Sequence, residues 1–161
     1  MDSQAVINAS PLIFFSRGRQ MELLHHFANH LLVPEPVATE IRRRGLHDPT
    51  VQILDHTAWI EIVAPPSIPE NILEWGLGMG ESAVLAYAYV HPNVEAIIDD
   101  LAGRKCTTCL NIPVRGTLGI VLIAKQRGLI PAARPVIEEL LRSGLYLSSQ
   151  ILDEALKRVG E

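Results

Sequence analysis

Short apolar segments that alternate with helical segments constrain the fold of this chain more than any other feature. Apolar runs suited to buried strands occur at 5–8, 31–33, 59–63, 95–98 and 112–114. Between them lie longer segments whose apolar residues recur at the spacing of an amphipathic or buried helix. Strands that alternate with helices in this way form a parallel sheet covered by helices on both faces. The sequence therefore predicts an α/β fold.

Capping residues and glycines predict where several helices begin and end. Ser10 and Pro11 follow the first strand, so Ser10 is expected to cap a helix whose first residue is Pro11. A largely apolar helix is expected over 82–90, directly after the glycine-rich stretch at 76–82. The proline-rich segment at 64–70 is expected to be a loop.

The size and composition of the chain indicate one soluble globular domain over 1–161. Its 161 residues are 48% apolar and 20% charged, which excludes a disordered chain. The last two predicted helices, from about 132 to 161, are expected to form a C-terminal helical hairpin or extension. The formal net charge of −4 gives no general basic field for nucleic acid, although carboxylates that bind a metal ion also make a chain count as acidic.

The N-terminus and the cysteines indicate a cytoplasmic protein. No basic segment followed by an apolar run of signal-peptide length opens the sequence, and no segment is long and apolar enough to span a membrane. Cys106 and Cys109 form a single CxxC pair without the second pair that a structural zinc site needs. We therefore expect two ordinary thiols.

Five polar residues lie where strands end or helices begin: Asn8, Glu40, Glu81, Asp99 and Asp100. Each has an ordinary structural explanation, as a turn residue, an exposed helical residue, a first-turn acid or a helix cap. Taken together, they would meet at one edge of a parallel sheet, where ligands bind in such folds. Converging carboxylates repel one another unless their pKa values shift or a cation is present. Their oxygens suit Mg²⁺ or Mn²⁺ better than zinc.

Five motifs resemble, in order and spacing, the PIN-domain superfamily. They are NASPLI at 8–13, VATEI at 37–41, GMGESAVLAYA at 78–88, IIDDLAGRK at 97–105 and RGTLGIVLIAKQRGLIP at 115–131. They most resemble its uncharacterised prokaryotic PIN-like branch, which is related to VapC-type toxins. The resemblance implies a three-layer α/β/α fold with a central, mostly parallel sheet. It also implies cleavage of single-stranded RNA by water that Mg²⁺ or Mn²⁺ activates.

The resemblance also assigns roles to individual residues. The metal ligands of the family fall on Asn8, Glu40, Glu81 and the Asp99–Asp100 pair, in which Asp100 is the closer match, and the four acids among them would be catalytic. Thr117 falls where the family often places a donor near the site. An antitoxin protein and a second copy of the chain are the expected protein partners.

Asn8 departs from the family pattern, which has Asp at this position. Its amide oxygen can bind a metal ion but brings no charge, so metal affinity is expected to fall. Two functions therefore stay open: a metal-dependent ribonuclease, and a protein of the same fold that binds nucleic acid or protein through a weakened site.

Basic residues near these acids are candidates for binding substrate phosphates. Arg42 and Arg43 follow Glu40, whereas Arg104 and Lys105 follow the aspartate pair. The alternatives are a solvated, dipole-complementing helix end for the first pair and ion pairs with the neighbouring carboxylates for the second.

Overall fold

A five-stranded, entirely parallel sheet forms the centre of the molecule. The computed structural model describes residues 3–161. The strands are β1 (Gln4–Ile7), β2 (His30–Pro34), β3 (Ile60–Val63), β4 (Val94–Ile97) and β5 (Val114–Arg115), in the spatial order β3-β2-β1-β4-β5. The parallel sheet predicted from the alternation of elements is therefore confirmed.

Helices connect the strands and follow the last one. They are α1 (Ala9–Arg17), α2 (Met21–Phe27), α3 (Glu35–Arg42), α4 (Pro49–His56), α5 (Glu70–Leu73), α6 (Met79–Val90), α7 (Leu101–Leu110), α8 (Thr117–Gln126), α9 (Arg134–Arg142) and α10 (Ser149–Arg158). With the central sheet, they form the three-layer α/β/α fold that the resemblance implies. No helix among residues 3–161 is both long enough and apolar enough to cross a membrane.

The core is centred on β1, which lies between β2 and β4. Ala5, Val6 and Ile7 are almost completely buried, because helices cover the central strand on both faces. Helix α6 contacts β1, β2 and β4, and most of its residues are buried. The outer strands β3 and β5 contain no fully buried residue, as expected at the edges of a sheet.

The two C-terminal helices contribute to the same hydrophobic core as the sheet. Ile137 and Leu140 of α9 are fully buried, and Leu156 of α10 is 1% exposed. Helix α9 packs against α1 and α8. This packing follows from the amphipathic sequence of α9, whose apolar residues recur along one face.

The first helix begins earlier than its predicted cap. Asn8, not Ser10, occupies the N-cap position, and Ser10 is the second residue of α1, so that prediction was wrong. Asn8 has an extended backbone, and its N–H still donates to the carbonyl of Ile97 at 3.1 Å. The chain therefore passes from β1 into α1 without a turn. Helix α6 likewise begins at Met79, three residues before the predicted start.

The strand order reverses beside β1. From β1 the chain proceeds to β2 and β3 on one side, and then returns to place β4 on the other side. At such a reversal the loops after two neighbouring strands separate and leave a crevice at their carboxyl ends. Asn8 follows β1 and the aspartate pair follows β4, so both lie at this crevice.

Candidate active site

A cavity of about 640 Å³ opens at the carboxyl ends of the central strands. Asn8, Glu40 and Glu81 line it, together with Arg43 and the backbone at Gly80. These residues come from the start of α1, from α3 and from the first turn of α6. Three separate segments of the chain therefore converge on one site, which we call the acidic centre and which also includes Asp100.

Gly80 allows α3 and α6 to approach closely enough to bring Glu40 and Asn8 together. A Cβ atom on Gly80 would lie 3.0 Å from Glu40 Oε2 and 3.6 Å from Asn8 Oδ1. Both oxygens therefore face the same side of the first turn of α6. Asn8 is 7% exposed, whereas Glu40 is exposed on the surface of α3.

Glu81 and Asp100 are brought together on the other side of this turn. A Cβ atom on Gly103 would lie 3.9 Å from Glu81 Oε2 and also 3.9 Å from Asp100 Oδ2. Burial raises the pKa of Glu81, and the negative charges of Asp100 and Glu40 raise it further. The charges of Asp100 and Glu40 therefore both act on the Glu81 carboxyl group, as expected if the three carboxylates share one site.

The oxygen donors of the acidic centre fit a hard divalent cation by their chemistry. They are one amide oxygen and three carboxylates, and a cation would relieve the repulsion that raises the pKa of Glu81. Within residues 3–161, however, no three His, Cys, Asp or Glu side chains are already arranged as a metal-binding group. Mg²⁺ usually keeps several water ligands and needs only one or two carboxylates, so the donors of the acidic centre still fit such an ion.

The two adjacent aspartates have different partners. Asp99 Oδ1 accepts a hydrogen bond from the backbone N–H of Thr117 at 2.7 Å, and Asp99 Oδ2 accepts one from the Thr117 hydroxyl at 2.6 Å. Asp99 thereby links the end of β4 to the start of α8. It also occupies both donors of the buried Thr117, the residue at which the family resemblance implies a donor near the site for substrate.

Asp100 caps α7 and remains accessible. Its Oδ2 accepts a hydrogen bond from the backbone N–H of Gly103 at 3.0 Å, while the residue as a whole is exposed. Of the two aspartates, Asp100 is the one whose charge reaches Glu81. The acidic centre therefore consists of Asn8, Glu40, Glu81 and Asp100. Asp99 supports it indirectly, because its carboxylate is bound to Thr117.

The basic residues that were candidates for binding phosphate lie in different surroundings. Arg43 lines the cavity of the acidic centre, whereas Arg42 forms an ion pair with Asp55 at 3.0 Å. Arg104 lies over Gly116 at the start of α8, so closely that a Cβ atom there would collide with its guanidinium. Lys105 is exposed on α7. Within the described residues, neither Arg104 nor Lys105 forms an ion pair with a carboxylate, so that alternative is not observed.

Sequence reasoning did not identify the glycines that shape this site. Gly80 and Gly103 each lie beside two of its polar side chains, and Gly116 lies beside Arg104 and Asp99. Their signal was present in the motifs GMGE, LAGRK and RGTLG, where each glycine lies within a few residues of a charged residue. A glycine at a close approach cannot be distinguished from a turn glycine until the neighbouring element is known.

Comparison with protein families places the chain in one of them. A protein-family model described as a PIN domain matches residues 4–161, which is nearly the whole chain. No curated protein matches the chain significantly.

Proposed function

The chain belongs to the PIN-domain family and so has a nuclease-type fold, and from this premise we propose that it is a metal-dependent endoribonuclease that hydrolyses phosphodiester bonds of single-stranded RNA. The observation that supports this proposal most is the convergence of Glu40, Glu81 and Asp100 at the strand-order reversal. A carboxyl group whose pKa is raised by burial and by two neighbouring carboxylates is expected where a cation and a phosphate are to be held.

The donors that would hold Mg²⁺ or Mn²⁺ are Asn8, Glu40, Glu81 and Asp100. When bound, the ion lowers the pKa of an attacking water and offsets the charge of the phosphate. Glu81, half-buried and close to Asp100, is the residue that would accept a proton from that water. Asp99 holds the start of α8 against β4 and so keeps Asp100 in place.

The arginines at the rim of the site are the proposed contacts for the RNA backbone. Arg43 lines the same cavity as Glu40, and Arg104 lies at the start of α8, close to the aspartate pair. A guanidinium can bind a phosphate through two parallel hydrogen bonds. Lys105 and Arg42 are further candidates from the sequence, although Arg42 would first have to leave Asp55.

The proposal is tested by calorimetric titration with Mn²⁺ and by cleavage of a labelled single-stranded RNA. The wild-type protein is expected to bind Mn²⁺ and cleave the RNA, and Glu81→Gln is expected to lower the cleavage rate at least about a hundredfold. Asp153→Asn is a matched control, because Asp153 is exposed on α10. Equal cleavage by the wild type and Glu81→Gln would contradict catalysis by the acidic centre.

Asn8 favours a second function, which is binding of RNA or protein without cleavage. A neutral amide stands where the family has a carboxylate, and no three acidic side chains of the described region already form a metal-binding group. This alternative predicts that neither the wild type nor Asn8→Asp cleaves RNA in excess Mn²⁺. It also predicts that Glu81→Ala binds RNA as tightly as the wild type does.

An antitoxin and a second copy of the chain are the proposed protein partners, as the family resemblance implies. Light scattering of the purified protein measures its mass in solution. A monomeric mass at high concentration would contradict the homodimer.

A further inference from the structure

A second cavity, of about 610 Å³, lies between α8, α10 and the segment that joins α9 to α10. We call it the α8–α10 groove, lined by Leu118 and Leu122 of α8, Ile151 and Arg158 of α10, and Tyr146 of the joining segment. Tyr146 is 86% exposed and Ile151 is 50% exposed. The groove therefore presents an aromatic ring and apolar surface to solvent.

Arginines lie along the α8 side of this groove because two glycines make room for them. The guanidinium of Arg104 lies over Gly116, and a Cβ atom on Gly119 would lie 2.9 Å from Arg115 Cδ. Gly116 and Gly119 are three residues apart and so share one face of the helix start. Because two residues of the GTLG motif are glycines, the start of α8 has no side chains where Arg104 and Arg115 lie.

Two arginines of the groove form no ion pair within the described residues. They are Arg104 and Arg158. The third arginine of the lining, Arg115, is paired with Glu95 at 3.3 Å. Unpaired guanidinium groups at both ends of the groove favour an anionic ligand.

The groove lies next to the acidic centre. Asp99 and Arg104 line the groove, while their chain neighbours Asp100 and Gly103 lie beside Glu81 in the acidic centre. A polymer that extends from the acidic centre past these residues would enter the groove. Single-stranded RNA fits this path better than an acidic peptide does, because its bases can stack on an exposed tyrosine while its phosphates contact arginines.

We propose that the α8–α10 groove binds the nucleotides that flank the scissile phosphate, with a base stacked on Tyr146 and phosphates bound by Arg104 and Arg158. This inference rests on the proposed function for the nature of the polymer. It assigns RNA-binding roles to Tyr146 and Arg158, which the family motifs do not indicate.

The test measures the affinity of a labelled single-stranded oligouridylate of about 20 nucleotides, with Ca²⁺ in place of Mn²⁺ and a gel to verify that the RNA stays intact. Loss of base stacking in Tyr146→Ala is expected to weaken binding at least about fivefold. Arg158→Gln is expected to weaken binding and to reduce the slope of log affinity against log salt by about 0.7, for one lost phosphate contact. Tyr89→Ala and Arg142→Gln are matched controls from outside the groove, and both residues are exposed.

The possible outcomes test RNA binding by the groove separately from RNA cleavage at the acidic centre. If the groove variants bind RNA as the wild type does, while the wild type cleaves RNA and Glu81→Gln does not, the groove proposal is overturned and the nuclease stands. If the groove variants bind weakly but the wild type cleaves no RNA, the groove stands and the nuclease falls. If the wild type binds no RNA, both are overturned.

Discussion

Asn8 is the residue that most affects the charge of the acidic centre. It is 7% exposed, its backbone still pairs with β4, and its side chain makes no capping hydrogen bond to α1. A carboxylate in its place would add a fourth negative charge beside Glu40, with little water to screen it. The metal-free protein would become less stable and its attraction for a cation would increase.

Asn8→Asp is expected to bind Mn²⁺ at least about tenfold more tightly than the wild type, because a charged ligand replaces a neutral one. The same variant should unfold at a lower temperature without metal and should be stabilised more by Mn²⁺. Calorimetric titration and thermal unfolding measure the two effects. Asn93→Asp, in an exposed loop, is the control, and an equal change there would point to a general effect of net charge.

Asp99 and Asp100 should respond differently to the same change. Asp99→Asn is expected to lower the free energy of unfolding by about 1–3 kcal/mol, because one of the two Thr117 donors loses a charged acceptor. Asp100→Asn keeps an acceptor for the N–H of Gly103, so it should cost less stability but weaken Mn²⁺ binding more. Urea unfolding and Mn²⁺ titration distinguish them. A stable Asp99→Asn variant with impaired Mn²⁺ binding would make Asp99 a metal ligand instead of an anchor.

At the scale of elements, the contact between α3 and α6 forms one half of the acidic centre. The two helices pack together, and Gly80 lies where they approach each other. A side chain at this position would meet Val37 Cγ2 at 3.3 Å as well as the Glu40 carboxylate. The absence of a side chain at Gly80 therefore sets how closely Glu40 can approach Asn8.

Gly80→Ala is expected to displace the Glu40 carboxylate and weaken Mn²⁺ binding several-fold. Its effect on stability should be small, because alanine favours the helix by up to about 1 kcal/mol while the new methyl group crowds α3. Gly78→Ala is the matched control, since a Cβ atom there has no neighbour within 4 Å. If both variants bind Mn²⁺ equally well, Gly80 does not control the position of Glu40.

At the scale of the whole molecule, Asp48 connects three parts of the chain distant from the acidic centre. It caps α4 through the N–H of Thr50 at 2.9 Å, and its carboxylate lies 3.0 Å from Arg44 and 3.5 Å from Arg17 of α1. Burial by itself raises the pKa of Asp48, but the hydrogen bond from Thr50 and the charge of Arg44 outweigh it. The pKa is therefore lower than the usual 3.8.

This lowered pKa predicts the pH dependence of stability. The unfolded chain holds the Asp48 proton more tightly, so the stabilisation is complete well above pH 3.8 and is lost as the pH falls through the lower native pKa. Asp48→Asn should therefore be less stable than the wild type near pH 7, by about 1 kcal/mol. The difference should shrink below about pH 4. Urea unfolding across this range, with Asp153→Asn as the control, measures it; a difference independent of pH would contradict the assignment.

The class of fold could be predicted because it depends on local patterns. Strands buried between two layers of helices need apolar residues on both faces, and the runs around β1, β2 and β4 contain them. The edge strand β5 has only two residues, which is too short for any periodic signal, and its predicted position was displaced accordingly. The motifs around Asn8, Glu40, Glu81 and the aspartate pair also identified which polar residues to examine.

By itself, the sequence determined the α/β class, the family and the set of candidate acids. Only the tertiary structure distinguished Arg42 from Arg43, and only it showed that Asp99 and Asp100 have different partners. Adjacent residues share nearly the same local sequence, so their roles depend on partners elsewhere. Asp99 binds Thr117, 18 positions away, and Arg42 pairs with Asp55, 13 positions away. Such contacts form only when the strands and helices pack, and local propensity contains no information about them.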